Sequence, residues 1–124
     1  MKTKPLTFLL SLTFLFLFSG SVFGGNWEDG VHAYLKQDYK TAHRLWLPLA
    51  EQGDAKAQYN LGLMYEDGLG VPQDYVSAHM WWNLSGSNGY KDAVTNRNII
   101  EKTMPKQLIR KSRRMARNWN ETNN

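Results

Sequence analysis

The run Ala57-Gln58-Tyr59-Asn60-Leu61-Gly62-Leu63-Met64-Tyr65-Glu66-Asp67-Gly68-Leu69-Gly70-Val71-Pro72-Gln73-Asp74-Tyr75, followed by Ala78 and Trp82, decides the reading of this chain. Ala57, Leu61 and Tyr65 recur at intervals of four, so they line one side of a helix. The stretch between Glu66 and Asp74 combines two glycines with a proline and cannot continue that helix. Asp74 then stands where an N-cap carboxylate accepts backbone N–H bonds, and a second helix starts behind it.

Working outward, a shift of 36 residues brings Asp38-Tyr39 onto Asp74-Tyr75, Ala42-His43 onto Ala78-His79, Trp46 onto Trp82, Gly53 onto Gly89 and Ala57 onto Ala93. Coincidences of rare residues at one offset mark a repeat. Each unit reads as a pair of antiparallel helices. Asp38 serves as an N-cap like Asp74, and Gly53 and Gly89 follow helices where a left-handed residue is favourable. The pattern predicts helices over 27–36, 39–52, 55–66, 75–88, 91–102 and 105–119, with no strand signal.

These residues resemble the Sel1-like repeat, whose pattern runs Ala, Leu-Gly, Met-Tyr, Gly-x-Gly-Val, Asp-Tyr, Ala and Trp. The resemblance covers one complete repeat, the second half of a preceding one that begins at Asp38, and a following partial unit ending at Trp119. It resembles the short exported bacterial type of this repeat protein. The implied fold is all-α, an α/α solenoid of tetratricopeptide-like helix pairs with a C-terminal capping helix. From Gly30 to Tyr39 is nine positions, whereas Gly62 to Tyr75 is thirteen, so the first hairpin lacks the glycine-proline loop and is nearer an ordinary tetratricopeptide turn.

The chain before residue 25 obeys a different selection. All five phenylalanines lie in the first 23 positions, around an uncharged block from Leu6 to Phe18 that follows Lys2 and Lys4. The block has 13 residues, where a membrane-spanning helix needs roughly 20, and small residues follow it. This is the pattern of a secretory signal peptide, 1–24, cleaved after Gly24. Residues 25–124 then form the repeat domain, divided as a hairpin over 27–52, a full repeat over 53–88, and a partial repeat with a basic cap over 89–124. Export to the periplasm or the exterior is expected, with no transmembrane segment in the mature chain. Without Lys2 and Lys4, 13 basic face 11 acidic residues, a formal charge of +2. There is no cysteine, which excludes disulfides, thiol nucleophiles and cysteine-based metal sites.

Small residues at Ala42, Ala57, Gly62 and Ala78 let helices approach to ~8 Å. Trp46 and Trp82 fill the space between layers. After Pro105, Leu108, Ser112, Met115 and Trp119 form one stripe, and Lys106, Arg110, Arg113 and Arg117 the opposite one. Together with Arg114, these cations give the cap a basic outer surface.

No catalytic residue, metal ligand or cofactor is expected. His43 and His79 are repeat equivalents in successive layers and His32 lies on the first helix, so they do not converge. Gly68-Leu69-Gly70 lacks the Lys-Ser or Lys-Thr of a phosphate loop, and Glu66 and Asp67 point in different directions. The resemblance instead implies a protein-interaction module whose first helices line a groove. Its candidate residues are Trp27, Val31, Tyr34, Lys56, Tyr59, Leu63 and Glu66, with end-capping as the rival role for Trp27 and Tyr34. The expected partner is a protein or peptide and not a nucleic acid, with the protein acting as adaptor or neutraliser. Weak self-association through solenoid ends is compatible with so few repeats. The competing readings are a protein that binds or hydrolyses cell-wall material, peptidoglycan or β-lactam, and a membrane-surface binder using the basic helix.

Overall fold

The computed structural model describes residues 26–124, and the signal-peptide reading of 1–24 lies outside them. Six helices follow in order: α1 Asn26–Leu35, α2 Tyr39–Glu51, α3 Ala55–Asp67, α4 Tyr75–Ser87, α5 Lys91–Glu101 and α6 Lys106–Asn123. No strand occurs among the described residues, and none of their helices is long and apolar enough to cross a membrane. The all-α repeat fold is as expected. Helix ends fall within one or two residues of the prediction, except that α6 runs four residues beyond Trp119.

The caps set these boundaries. Asp54 accepts from the Ala57 amide at 2.9 Å, and Asp38 from that of Thr41 at 3.4 Å. Asp74 accepts from the amides of Val76 and Ser77, and the Ser77 hydroxyl donates to its second oxygen at 2.7 Å. Gly53 and Gly89 take up left-handed backbone at φ 95° and 97° behind α2 and α4. In the α3–α4 loop, Gly70 combines φ 72° with a close approach, since a Cβ there would stand 2.6 Å from the backbone of Tyr39. The loop thus packs back on the first hairpin.

Helices α1 and α2 pair, α3 and α4 pair, and α2 against α3 joins the two hairpins. Each pair closes on one lock. The Trp46 indole lies over Gly30 and donates to the Trp27 carbonyl at 3.3 Å, and the Trp82 indole lies over Gly62 and donates to the Tyr59 carbonyl at 3.1 Å. A Cβ at either glycine would overlap the indole ring. Ala42, Ala57 and Ala78 are wholly buried between the helices, as expected. Buried Gln58 ties the hairpins together, donating to the Ala50 carbonyl and accepting from Asn88.

The third unit departs from this plan. Helix α5 packs on α4, but α6 also packs along α4 and does not close a hairpin with α5. Asn98 occupies the place of Gly30 and Gly62 and Asn118 that of Trp46 and Trp82, so the third unit has neither half of the lock. Trp119 instead meets Trp81 edge to face, with ring centroids 6.1 Å apart.

The phase of α6 also differs from the expected stripe. Leu108 is 38% exposed, and Ser112 and Ala116 are buried with Ile109, Met115 and Trp119 partly covered. Ile109 therefore takes the inward place expected of Leu108. The contact of Ser112 with a buried histidine fixes the rotation, and the small Ala116 turns toward the core.

Candidate functional site

Two arrangements stand out, one on each side of the molecule. On the first, a cavity of about 190 Å³ opens between α1 and α3, lined by Val31, Tyr34, Leu35, Trp46, Asn60 and Leu63. It brings together three of the seven groove candidates, Val31, Tyr34 and Leu63. Val31 follows Gly30 as Leu63 follows Gly62 and Ile99 follows Asn98, so three aliphatic side chains hold equivalent positions on the three first helices. Ile99 is 56% exposed, and Leu35 at the cavity edge is 73% exposed. Neither was legible as a candidate, because the third unit lacks the glycine that sets the register and Leu35 faces a loop shorter than its counterpart.

The other four candidates lie elsewhere. Trp27 stacks on Trp46 at 5.4 Å between centroids and carries the Lys56 ammonium 4.7 Å from its ring, so it covers the first layer. Tyr34 packs on both Tyr39 and Trp46, which gives it part of the same capping role. Tyr59 packs on Tyr90, with Asn96 donating to its hydroxyl at 3.4 Å. Glu66 is partly buried at the far end of α3, where desolvation and then Asp67 raise its pKa above the ordinary carboxylate value. Its carbonyl anchors Gln73 at 2.8 Å.

On the opposite side, His79 is wholly buried on α4. Its Nδ1 lies 2.7 Å from Ser112 Oγ on α6, and its Nε2 lies 2.7 Å from Glu101 Oε1 at the end of α5. Arg113 of α6 donates to the same carboxylate oxygen at 3.1 Å. An ionised carboxylate only accepts, so Nε2 carries the proton and Nδ1 accepts from the Ser112 hydroxyl. Burial lowers the His79 pKa more than its bond to Glu101 raises it, which keeps the ring neutral at neutral pH. The hydrogen bond from His79, followed by that from Arg113, holds Glu101 below the ordinary carboxylate range.

Serine, histidine and glutamate in hydrogen-bonded sequence have the order of a nucleophile relay. Here both Ser112 and His79 have no exposed surface, so no substrate atom reaches the hydroxyl. The three residues clamp α6 to α4 and α5. This structural role agrees with the expectation for His79; of its partners, Ser112 is 33 positions away on the capping helix and Glu101, 22 positions away, stands where Tyr65 stands to His43. Its equivalent His43 differs: a buried Nε2 has no partner among the described residues, the ring meets Tyr65 edge to face, and burial lowers its pKa. His32 is exposed on α1.

Lys106, Arg110, Arg114 and Arg117 lie on the solvent side of α6, and Arg113 is 54% exposed despite its bond to Glu101.

Comparison with known proteins agrees with this architecture. The model of the Sel1 repeat matches residues 25–54 and 55–90. A 50-residue stretch is 44% identical to chitin synthase regulatory factor 3 of Schizosaccharomyces pombe, covering 40% of this chain and 5% of that protein. A 72-residue stretch is 36% identical to a chitin synthase regulator of Malassezia restricta, covering 57% of this chain and again 5% of the relative. The chain thus spans a small fraction of the length of either fungal protein. The first family match takes in α1, so the shorter hairpin is a repeat with its turn cut by four residues: Trp27 and Gly30 stand in the places of Tyr59 and Gly62. Two consecutive matches over more than half of the chain, each containing one complete glycine–tryptophan lock, make it a member of the Sel1 repeat family.

Proposed function

We propose that this protein is a non-catalytic interaction module that binds a protein or peptide across the open face of its first helices, and that it is exported and acts as an adaptor or neutraliser. The observation that carries this reading is the aliphatic row Val31, Leu63 and Ile99 beside a cavity edged by the exposed Leu35. Val31 and Leu63 line the cavity partly covered, and Leu35 and Ile99 stand in water, a set of aliphatic side chains that suits a surface a partner covers. Sel1 repeats mediate protein–protein interaction in general, and the fungal relatives are named as regulators, a part played through another protein. The buried state of Ser112 and His79 supports the non-catalytic half of the reading.

Affinity purification from the producing cells, with wild type beside a Leu35→Asp, Ile99→Asp double variant, tests this. Both side chains are exposed, so the variant keeps the wild-type melting midpoint and loses the captured partner. Equal recovery of the partner by both would refute the groove. A catalytic turnover that survives purification would refute the module.

A further inference from the structure

Charge is divided between two regions. Residues 26–101 carry six basic and ten acidic side chains, whereas residues 102–124 carry seven basic and one acidic. All seven of those cations are exposed, and among the described residues Arg113 alone is in an ion pair. On a helix at 100° per residue, Arg113, Lys106, Arg117, Arg110, Arg114 and Lys111 fall in order on one arc, which the single carboxylate of Glu121 enters between Arg110 and Arg114. Exposed Leu108 borders that arc on one flank. On the other, Lys106, Ile109, Arg110 and Arg113 line a cavity of about 310 Å³.

The inner face of α6 is already committed. Ser112 and Ala116 are buried against α4, and the helix is held by His79, Glu101 and Arg113. The basic arc is therefore a fixed surface on a docked helix, which presents cations in a row over about 17 Å of axis. Exposed cations gathered on one arc, all but Arg113 without an ion pair among the described residues, match a surface that offers many phosphates close together.

We propose that the outer face of α6, centred on the cavity at Lys106, Arg110 and Arg113, binds the phosphate-bearing headgroups of an anionic membrane surface. Arg113 is a positioned member of the site, because its guanidinium is tied through Glu101 to the buried His79. The other two cations are free to meet phosphate oxygens. This face lies apart from the groove formed by α1 and α3, so a membrane-bound molecule keeps that groove open to a partner.

Co-sedimentation of the full chain with phosphatidylcholine vesicles, with and without phosphatidylglycerol, tests the proposal through the ratio of the two partition constants. That ratio cancels the uncharged contribution of the apolar residues near the N-terminus. The double variant Lys106→Gln, Arg110→Gln is expected to lower the ratio about thirtyfold with an unchanged melting midpoint. A matched Lys36→Gln, Lys40→Gln variant is expected to leave it nearly unchanged, and ~0.5 M salt to abolish it. An equal fall in both variants would reduce the effect to net charge and overturn the site. Full displacement by millimolar inorganic phosphate would assign the site to a soluble anion. Salt-sensitive self-association without anionic vesicle binding would assign the arc to the acidic repeats of a second copy. Either result would overturn the membrane assignment.

Discussion

The two sides of this solenoid are finished in opposite ways. On one, the first helices α1, α3 and α5 leave Leu35 and Ile99 in water and a cavity open between α1 and α3. On the other, α6 lies along α4 and brings Ser112, Ala116, Met115 and Trp119 onto the core. A repeat buries its apolar surface only against its neighbours, so a chain of two full repeats has one closing helix to place. Here that helix seals the second-helix side. The same contrast appears inside the repeat register: His79, under the cap, has partners for both ring nitrogens, whereas His43, one repeat earlier, has Tyr65 where His79 has Glu101.

The largest effect that could break this comparison is loss of an indole from its glycine. Trp82→Ala is expected to destabilise by ~3–5 kcal/mol, a large part of a typical total of ~5–15 kcal/mol. Trp46→Ala should fall at the lower end, because Trp46 lies in the terminal repeat. Urea unfolding of the two variants measures the difference, and equal small losses would show that the locks do not hold the hairpins closed.

Next in size is the contrast between the histidines. His79→Ala leaves Ser112 and Glu101 without their buried partner and is expected to lose ~2–4 kcal/mol. His43→Phe removes an unpartnered buried nitrogen and keeps the ring packing, so its unfolding midpoint should equal or exceed that of the wild type. A similar loss in both variants would contradict the clamp.

Acid sharpens the same contrast. Both histidines are held below their ordinary 6.5, so the unfolded chain binds those protons more tightly. Stability is full above that value and declines as pH falls through 6.5 toward the folded-state pKa values. Glu101, held below 4.5, adds a further loss as pH falls under 4.5 through its own folded-state value. Melting midpoints between pH 8 and pH 4 should therefore fall toward acid, with a shallower decline in His43→Phe and a steeper wild-type curve. The smallest expected effect is that of Arg113→Gln, below ~1 kcal/mol, because the guanidinium is more than half exposed.

The fold was legible because its signals are local or repeat at one offset. Rare pairs such as Asp38-Tyr39 and Asp74-Tyr75 fixed the register, and the caps and glycines fixed the helix ends. The phase of α6 was less legible, since Leu108 and Ile109 are adjacent and either completes an apolar stripe. A hydrogen bond to a residue 33 positions away chose between them. For the same reason the clamp was invisible: Ser112 and Glu101 are ordinary surface residue types until the packing of α6 along α4 carries Ser112, and that of α5 on α4 carries Glu101, to His79. On the open face, the repeat pattern located Val31, Tyr34 and Leu63, but Trp27 and Tyr59 were drawn into the locks through their carbonyls. Ile99 escaped notice because Asn98 replaces the glycine that marks its position.

The most direct test of the open-face account is site-specific photo-crosslinking in the producing cells, with the reactive side chain placed at Ile99 on one side and at Arg117 on the other. The account predicts a discrete protein adduct from Ile99 and none of that mass from Arg117. The same adduct from both positions, or from Arg117 alone, would contradict it.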